Sequence, residues 1–258
     1  MNPFANPFDA DDAAVVTGAG NGIGRAIAQA LVSCGVRTVF ADINAQGVAD
    51  AIAASTNPAL ATSWVGDLAR PDECHRLLGK AREALGTVTR LVHAAAPARH
   101  ERDHALAVDD ATWIRMRAVN LDAGFLLGRE VARNLIAAGR PGAMLYLTSL
   151  HAQTPRNLPH YSTAKAALAM LVREFAKTFG QHAIRVNALV PGAILAGGFV
   201  ADPALKRHVP LGRLGRSDDL APLAVAVLSD RIAGYVSGTD IVVDGGLALT
   251  NWFEPPVV

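Results

Sequence analysis

The sequence predicts an α/β fold in which strands and helices alternate, and two observations carry that prediction. Short apolar runs of strand length recur between helical patterns, and the first run ends in a glycine-rich turn that leads directly into a helix. The 258 residues suffice for one large domain or two small ones. Hydrophobic residues make up 51% of the chain and charged residues 18%, so we expect a sizeable core and little disorder.

Composition excludes several classes of function. A net charge of +1 argues against a nucleic-acid-binding surface. Cys34 and Cys74 have no metal-ligand spacing, so we expect buried thiols in a reducing, cytoplasmic compartment. No apolar run reaches the ~18 residues of a membrane helix. Residues 1–12 carry acids and prolines rather than a signal-peptide pattern, and we expect a flexible arm there.

The glycine-rich turn predicts a dinucleotide site. Residues 13–16 form the strand, residues 17–24 the turn, and the helical pattern begins at Arg25. Gly18 suits the tight turn, Gly22 allows backbone to approach a pyrophosphate, and Gly24 allows the helix to pack on the strand. The first turn of the helix would offer free N–H groups to phosphates. The alternative is a merely flexible glycine loop.

Asp42 indicates which cofactor binds. It ends a second strand, residues 38–42, eighteen residues after Gly24, where a carboxylate would accept hydrogen bonds from ribose hydroxyls. Its charge would repel a 2′-phosphate, and Ile43 and Asn44 rather than an arginine follow it. The pattern therefore favours NAD over NADP, with a solvated loop acid as the alternative.

Two further runs contribute to the same edge of the predicted sheet. Residues 64–68 are expected to form a third strand with Asp67 at its end, placed to meet the adenine. Residues 90–96 form a fourth strand that runs into three alanines, whose small side chains would let backbone approach the cofactor. His93 in this strand is interpreted as a packed or capping histidine rather than a catalyst.

The middle of the chain carries the candidate chemistry. Residues 109–138 are predicted to form one long helix interrupted by Asn120, and residues 143–149 a strand that ends in hydroxyls. Tyr161 and Lys165 lie four residues apart, on one face of the next helix. A phenol has a free pKa near ~10, and a neighbouring ammonium lowers that pKa, so the pair could exchange a proton with a substrate oxygen. By itself the pair could equally be a surface feature.

Together, these motifs resemble the short-chain dehydrogenase/reductase family over nearly the whole chain. The resemblance rests, in order, on residues 17–24, Asn120, Ser149, Tyr161, Lys165, residues 185–192, 237–239 and 243–246. It implies one doubly wound Rossmann-type domain over residues 13–258, with a mostly parallel seven-stranded sheet and helices on both faces. It also implies hydride transfer between NAD and a carbinol carbon, no metal, and a homotetramer.

The resemblance assigns roles to residues. Tyr161 would be the general acid/base, Lys165 would hold the nicotinamide ribose and lower the tyrosine pKa, and Ser149 would orient the substrate oxygen. Asn120 would hold helix backbone and a proton-relaying water. The implied cofactor-binding residues are Gly18, Asn21, Gly22, Ile23, Gly24, Asp42, Ile43, Asp67, Leu68, Ala94, Ala95, Ala96, Tyr161, Lys165, Pro191, Gly192 and Ile194.

Three departures from the family pattern bear on the site. Residues 93–96 read His-Ala-Ala-Ala where the family usually has Asn-Asn-Ala-Gly, so another group must brace the central strands. Ser149 lies twelve residues before Tyr161, one fewer than usual, which leaves Thr148 as the fallback. Ala196 stands where a threonine often touches the carboxamide.

Substrate choice would depend on a short lid, residues about 193–210, with one short helix over residues 203–208. The candidate substrate residues are Ser149, His151, Asn157, Arg99 and Phe199. The Ser-x-His at residues 149–151 resembles sugar dehydrogenases of the family, and Arg99 or Arg156 could pair a carboxylate. We therefore expect a sugar, sugar acid or polyol. The alternatives are a hydrophobic ketone, steroid or 3-oxoacyl thioester, or a non-catalytic NAD-binding sensor or scaffold.

Overall fold

A computed structural model describes residues 5–100, 103–196 and 203–249. The strands of the described residues are β1 (Ala13–Thr17), β2 (Arg37–Asp42), β3 (Ala61–Val65), β4 (Arg90–His93), β5 (Gly142–Leu147), β6 (Ile184–Pro191), β7 (Ile194–Leu195), β8 (Gly215–Arg216) and β9 (Asp240–Val243). The α-helices are α1 (Gly22–Ser33), α2 (Ala45–Ala53), α3 (Pro71–Leu85), α4 (Asp110–Arg117), α5 (Ala123–Ala138), α6 (Pro159–Phe179), α7 (Ser217–Leu228) and α8 (Asp230–Ala233).

Seven strands form one fully parallel sheet in the order β3-β2-β1-β4-β5-β6-β9. β7 and β8 form a separate two-stranded ribbon. The order reverses between β1 and β4, which makes a topological switch point where loops leave in opposite directions and a crevice opens. The prediction of a seven-stranded, doubly wound α/β domain is confirmed.

Helices cover both faces of the sheet because every central strand is buried on both sides. Alternate residues of β1 enter different cores: Ala13 and Val15 belong to one, Ala14 and Val16 to the other. The first core joins the sheet to α3, α5 and α6, and the second joins it to α1, α2 and α7. The central strands are therefore continuous apolar runs, as parallel sheets require.

Several element boundaries differ from the expectations. β4 ends at His93 and β5 at Leu147, so the three alanines and the two hydroxyl residues expected within these strands lie in the loops beyond them. β3 ends at Val65, so Asp67 lies in the loop beyond it rather than at the end of the strand. α1 begins at Gly22, three residues earlier than its apolar pattern. The long helix expected over residues 109–138 is two α-helices joined by a π-helical turn, Ala118–Asp122, that contains Asn120.

The N-terminal segment packs against the domain, which differs from the flexible arm expected for residues 1–12. Phe8 is buried, and the carbonyl of Pro7 accepts a hydrogen bond of 2.6 Å from Ser229 Oγ. Asp12 is buried against Arg90, with Oδ2 3.0 Å from an Arg90 guanidinium nitrogen. Asp230 pairs with the same guanidinium at 3.0 Å. The segment thereby closes the end of the sheet opposite the crevice.

Within residues 5–100, 103–196 and 203–249 no helix is long and apolar enough to cross a membrane. The same ranges hold no group of three or more His, Cys, Asp or Glu side chains that could bind a metal ion.

Candidate active site

A cavity of about 880 Å³ opens at the carboxyl ends of β1, β4, β5 and β6. The glycine turn and the end of β2 line one end of this cavity, and Ser149, Tyr161 and Lys165 line the other. We call these the adenosine end and the reaction end. The cavity lies at the topological switch point, where open α/β sheets bind ligands.

The glycine turn is shaped by close contacts that no side chain would permit. Gly18 has a φ of +69°, and a Cβ there would lie 2.8 Å from the backbone nitrogen of Ala95. A Cβ on Gly24 would collide with the carbonyl oxygen of Gly18. The N-cap residue of α1, Asn21, makes no side-chain hydrogen bond to the helix, so the first N–H groups of α1 stay available for a phosphate. The turn therefore fits a pyrophosphate.

Two carboxylates line the adenosine end, and they differ in their hydrogen-bond partners. Asp42 accepts hydrogen bonds of 2.9 Å from the backbone N–H groups of Gly20 and Asn44, which fixes its carboxylate beside the glycine turn. Asp67 accepts two hydrogen bonds from Arg115, at 2.9 and 3.2 Å, and that pairing lowers the pKa of its carboxyl. Asp42 thus keeps acceptor capacity for ribose hydroxyls, whereas the charge of Asp67 is matched within the chain.

Tyr161 and Lys165 lie on the buried face of α6, with Lys165 Nζ 5.7 Å from the centre of the Tyr161 ring. Lys165 Nζ donates a 2.7 Å hydrogen bond to the carbonyl oxygen of Leu147, at the end of β5. Burial, with a smaller contribution from the charge of Arg99, lowers the pKa of Lys165 to about 7. The ammonium therefore sits close to its titration point at neutral pH.

The hydroxyls at the end of β5 have different partners. Thr148 Oγ1 donates to the carbonyl of Leu189 at 3.1 Å, which commits its proton to the neighbouring strand. Ser149 Oγ accepts a hydrogen bond of 3.2 Å from the N–H of His151, so its own proton remains available to donate into the cavity. Of the two candidates, Ser149 has the hydroxyl that is free to act on a ligand.

His93 links the two central strands to the π-helical turn. Its Nε2 lies 3.1 Å from the carbonyl oxygens of both Val119 and Asn120, and its Nδ1 lies 3.0 Å from Thr17 Oγ1. Because carbonyls only accept, Nε2 carries the proton and Nδ1 accepts from the threonine hydroxyl. Burial, with a smaller contribution from the charge of Lys165, lowers the pKa of His93 to about 4.

This network explains how the chain manages without the asparagine expected at position 93. Thr17 Oγ1 also accepts hydrogen bonds of 3.2 Å from the N–H groups of Ala94 and Ala95. The ring fits because residue 124 is glycine: a Cβ there would lie 3.1 Å from His93 Cδ2. His93 is thus the packed histidine that the sequence predicts, and it supplies the bracing that the departure from the family pattern left open.

Asn120 lies fully buried beneath the reaction end rather than in the lining. Its Nδ2 donates a 2.9 Å hydrogen bond to the carbonyl of Met116. Its Oδ1 is buried and has no hydrogen-bond partner in the described part of the chain. A buried amide oxygen in this state is a binding point for a water or another donor. π-helical turns are frequent at functional sites, and the interruption by Asn120 was the sequence signal for this one.

Arg99 covers the ring of Tyr161, with its Cζ 4.5 Å from the ring centre. It belongs to the loop after β4 and lines the reaction end together with His151 and Arg156. The His151 ring also meets that of Tyr161, edge to face, with centres 6.0 Å apart. The sequence nominated Arg99 and His151 as candidates but could not show that both contact the tyrosine.

The structure brings nearly all of the nominated residues to one cavity. Every nominated cofactor residue lines it: Gly18, Asn21, Gly22, Ile23, Gly24, Asp42, Ile43, Asp67, Leu68, Ala94, Ala95, Ala96, Tyr161, Lys165, Pro191, Gly192 and Ile194. Asn157 is not among the lining residues, and Phe199 lies outside the described residues. Of the nominated lid, residues 193–196 and 203–210 are described, and the short helix Pro203–His208 appears where it was expected.

Comparison with known proteins adds independent findings. The profile of a family described as enoyl-(acyl carrier protein) reductase matches residues 18–248. Cis-4-hydroxycyclohexanecarboxylate dehydrogenase of Sinomonas cyclohexanicum is 36% identical over 92% of this chain and 96% of its own. Galactitol 2-dehydrogenase (L-tagatose-forming) of Cereibacter sphaeroides is 33% identical over 90% of this chain and 93% of its own.

A solved structure has the same fold as this chain. The 3-ketoacyl-(acyl-carrier-protein) reductase of Brucella melitensis, complexed with NADH, superposes with a TM-score of 0.85 at 26% identity. The match covers 92% of this chain and 98% of that one.

Proposed function

This chain belongs to the short-chain dehydrogenase/reductase family, and we propose that it uses NAD to interconvert a secondary alcohol and a ketone on a sugar, sugar acid or polyol. The observation that carries the proposal is the grouping of Ser149, Tyr161 and Lys165 at one end of a cavity whose other end has the glycine turn. A nicotinamide bound along this cavity would supply or accept the hydride.

In this proposal the chain's own residues move the proton. Tyr161 exchanges a proton with the substrate oxygen, and Ser149 donates a hydrogen bond to that oxygen. The ammonium of Lys165, on the same helix face one turn from Tyr161, holds the ribose. Asn120 accepts a hydrogen bond through its buried Oδ1 from a water that links the lysine to solvent. The free proton of Ser149, the shared helix face of Tyr161 and Lys165, and the unpartnered Oδ1 of Asn120 among the described residues support these assignments.

The test of catalysis is Tyr161→Phe, with the exposed Tyr235→Phe as matched control. NADH formation is measured with NAD and a panel of sugars, aldonates, polyols and apolar alcohols. We expect Tyr161→Phe to lower kcat at least about a hundredfold without weakening NADH binding, because only the proton transfer is lost. Equal turnover by Tyr161→Phe and the control would remove the tyrosine from the mechanism.

The preference for NAD rests on Asp42. Its carboxylate is held beside the glycine turn by two backbone N–H groups, so it cannot swing away from a 2′-phosphate without breaking both bonds. We expect Asp42→Asn to shift the ratio of kcat/KM for NADP over NAD upward by about tenfold or more, because a like charge is removed. Asp50→Asn, an exposed acid on α2, is the control. An unchanged ratio in Asp42→Asn would contradict the cofactor assignment.

The polar character of the reaction end supports the substrate class. Arg99, His151 and Arg156 give this end a polar lining that suits hydroxyl or carboxylate oxygens, and the described lining residues form no long apolar wall of the kind that suits a steroid. Two relatives are named for activity on galactitol and on cis-4-hydroxycyclohexanecarboxylate. Turnover of apolar alcohols alone in the panel would contradict this class while leaving the family reaction intact.

A homotetramer is the proposed assembly. Apolar side chains remain exposed on α4, α5 and α6, among them Trp113 at 41%, Phe125 at 39% and Met170 at 53%. Such side chains on adjacent helices favour an interface. Light scattering of the wild type should give four copies, and Phe125→Asp with Met170→Glu should give a smaller species. A monomeric wild type would contradict the proposal.

A further inference from the structure

We propose that Arg99 recognises a carboxylate on the substrate, so that the molecule oxidised or reduced at Tyr161 is a hydroxy or oxo acid. The inference rests on the proposed function, since it concerns the substrate of the same site. It narrows the substrate class from sugars, sugar acids and polyols to the anionic members.

The first support is the state of the Arg99 donors. The guanidinium lies over the face of the Tyr161 ring, with Cζ 4.5 Å from the ring centre. Stacking uses the face of a guanidinium and leaves its N–H edge free for hydrogen bonds. Arg99 makes no hydrogen bond or ion pair to a residue in the described part of the chain. A half-buried arginine in a cavity, whose N–H edge has no partner among the described residues, is arranged to bind a planar anion.

The second support is the distribution of charge along the cavity. The acids among the described lining residues, Asp42 and Asp67, lie at the adenosine end. Arg99 and Lys165 line the reaction end, and no acid among the described lining residues lies beside them. Asp103 follows Arg99 in the same loop, but its carboxylate faces His160, with Oδ2 3.5 Å from Nε2. Among the described lining residues the charge of Arg99 therefore has no acid to neutralise it, which favours an anionic ligand.

The third support is the position of Arg99 relative to Tyr161. Tyr161 fixes where the reacting carbinol oxygen must lie, and Arg99 contacts the ring of that same residue. A carboxylate bound to the Arg99 fork would hold the rest of the molecule against the tyrosine hydroxyl. The carboxylate-binding group and the proton-exchanging group are then in direct contact, so Arg99 would orient a small acid for proton transfer at Tyr161.

Arg99 could instead serve only to tune the proton relay, because its charge contributes to the lowered pKa of Lys165. The two roles make different predictions. A tuning residue would affect acidic and neutral ligands alike, whereas a carboxylate-binding residue would affect only the acid. The decisive quantity is therefore the ratio of affinities for an acid and its neutral analogue.

The experiment measures that ratio by calorimetry on the protein saturated with NADH. The probes are cyclohexanecarboxylate and cyclohexanecarboxamide, which match in shape and differ in charge. We expect the wild type to bind the acid about 10- to 100-fold more tightly than the amide. Arg99→Gln should reduce this ratio to near one with little change for the amide, and Arg99→Lys should retain part of it.

Arg133→Gln is the matched control, because it removes one exposed positive charge from α5 outside the cavity. It should leave the ratio unchanged. Equal binding of acid and amide by the wild type, or an undiminished ratio in Arg99→Gln, would overturn the inference. Neither result touches the proposed function, which fails separately if Tyr161→Phe retains its turnover.

Discussion

The strongest structural prediction concerns His93, whose ring joins three buried partners. Its Nε2–H serves the carbonyls of Val119 and Asn120, and its Nδ1 accepts from Thr17. His93→Ala would leave these groups unsatisfied in the protein interior, at about 1–3 kcal/mol for each, and would open a cavity where the ring had packed. We expect a total loss of about 3–5 kcal/mol, a large part of the roughly 5–15 kcal/mol that stabilises a domain.

The pH dependence separates His93 from an ordinary core residue. Its pKa falls from 6.5 to about 4 on folding, so the unfolded chain binds a proton between these values that the folded chain refuses. The stability that the neutral ring contributes is complete above pH ~6.5 and lost as pH falls toward ~4. At pH ~4.5 protonation linked to His93 alone should have lowered the free energy of unfolding of the wild type by roughly 2.5 kcal/mol.

His93→Asn tests this reasoning, because an amide keeps a donor and an acceptor but does not titrate. Urea unfolding at neutral pH should show the variant about 1–2 kcal/mol less stable than the wild type, since the shorter side chain cannot reach all three partners. Near pH 4.5 the variant should equal or exceed the wild type. His75→Asn, at an exposed position on α3, is the control. A difference between His93→Asn and the wild type that stays constant with pH would refute the argument.

Three further predictions concern stability. Asp12→Asn should cost about 3 kcal/mol in urea unfolding because it deprives the buried arginine of β4 of a partner, whereas the exposed Asp11→Asn should cost under about 1 kcal/mol. The pKa of Lys165 falls from 10.5 to about 7 on folding, so the free energy of unfolding of the wild type should rise with pH between these values. Lys165→Met should be more stable than the wild type by about 1–3 kcal/mol at pH 7, and this difference should vanish near pH 10. Gly128→Ala should destabilise because its Cβ would collide with Tyr146 Oη, and adding Tyr146→Phe should recover part of the loss, as a double-mutant cycle in thermal unfolding would show.

The features that sequence predicts well are those set by local chemistry. The glycine turn requires conformations and close approaches that only glycine allows, so its position can be predicted from the sequence alone. Tyr161 and Lys165 share a helix face through their spacing, and the structure places both on the buried side of α6. The central strands are apolar on both faces, which marks them as a parallel sheet before any contact is known.

The features that sequence misses depend on partners far along the chain. The acids and prolines before β1 give no local structure and so predict a free segment. Asp12 nevertheless pairs with Arg90, 78 residues along the chain, and Pro7 with Ser229, 222 residues along it. β3 was misplaced because Thr62 and Ser63, on an edge strand with partly exposed faces, break the apolar pattern. The carbonyls of Val119 and Asn120 in the π-helical turn are hydrogen-bonded to His93 of β4, a contact that helix periodicity cannot reveal.

The reaction end concentrates groups that a folding domain would otherwise avoid. Lys165 is buried with its pKa lowered to about 7, and the Oδ1 of Asn120 lacks a hydrogen-bond partner among the described residues. Each lowers stability in a chain whose two apolar cores could tolerate a methionine or leucine instead. A scaffold that only bound nucleotide would gain stability by losing them without weakening the glycine turn. Their presence at one end of one cavity therefore favours catalysis over the non-catalytic alternative, since local violations of folding rules gather where chemistry requires them.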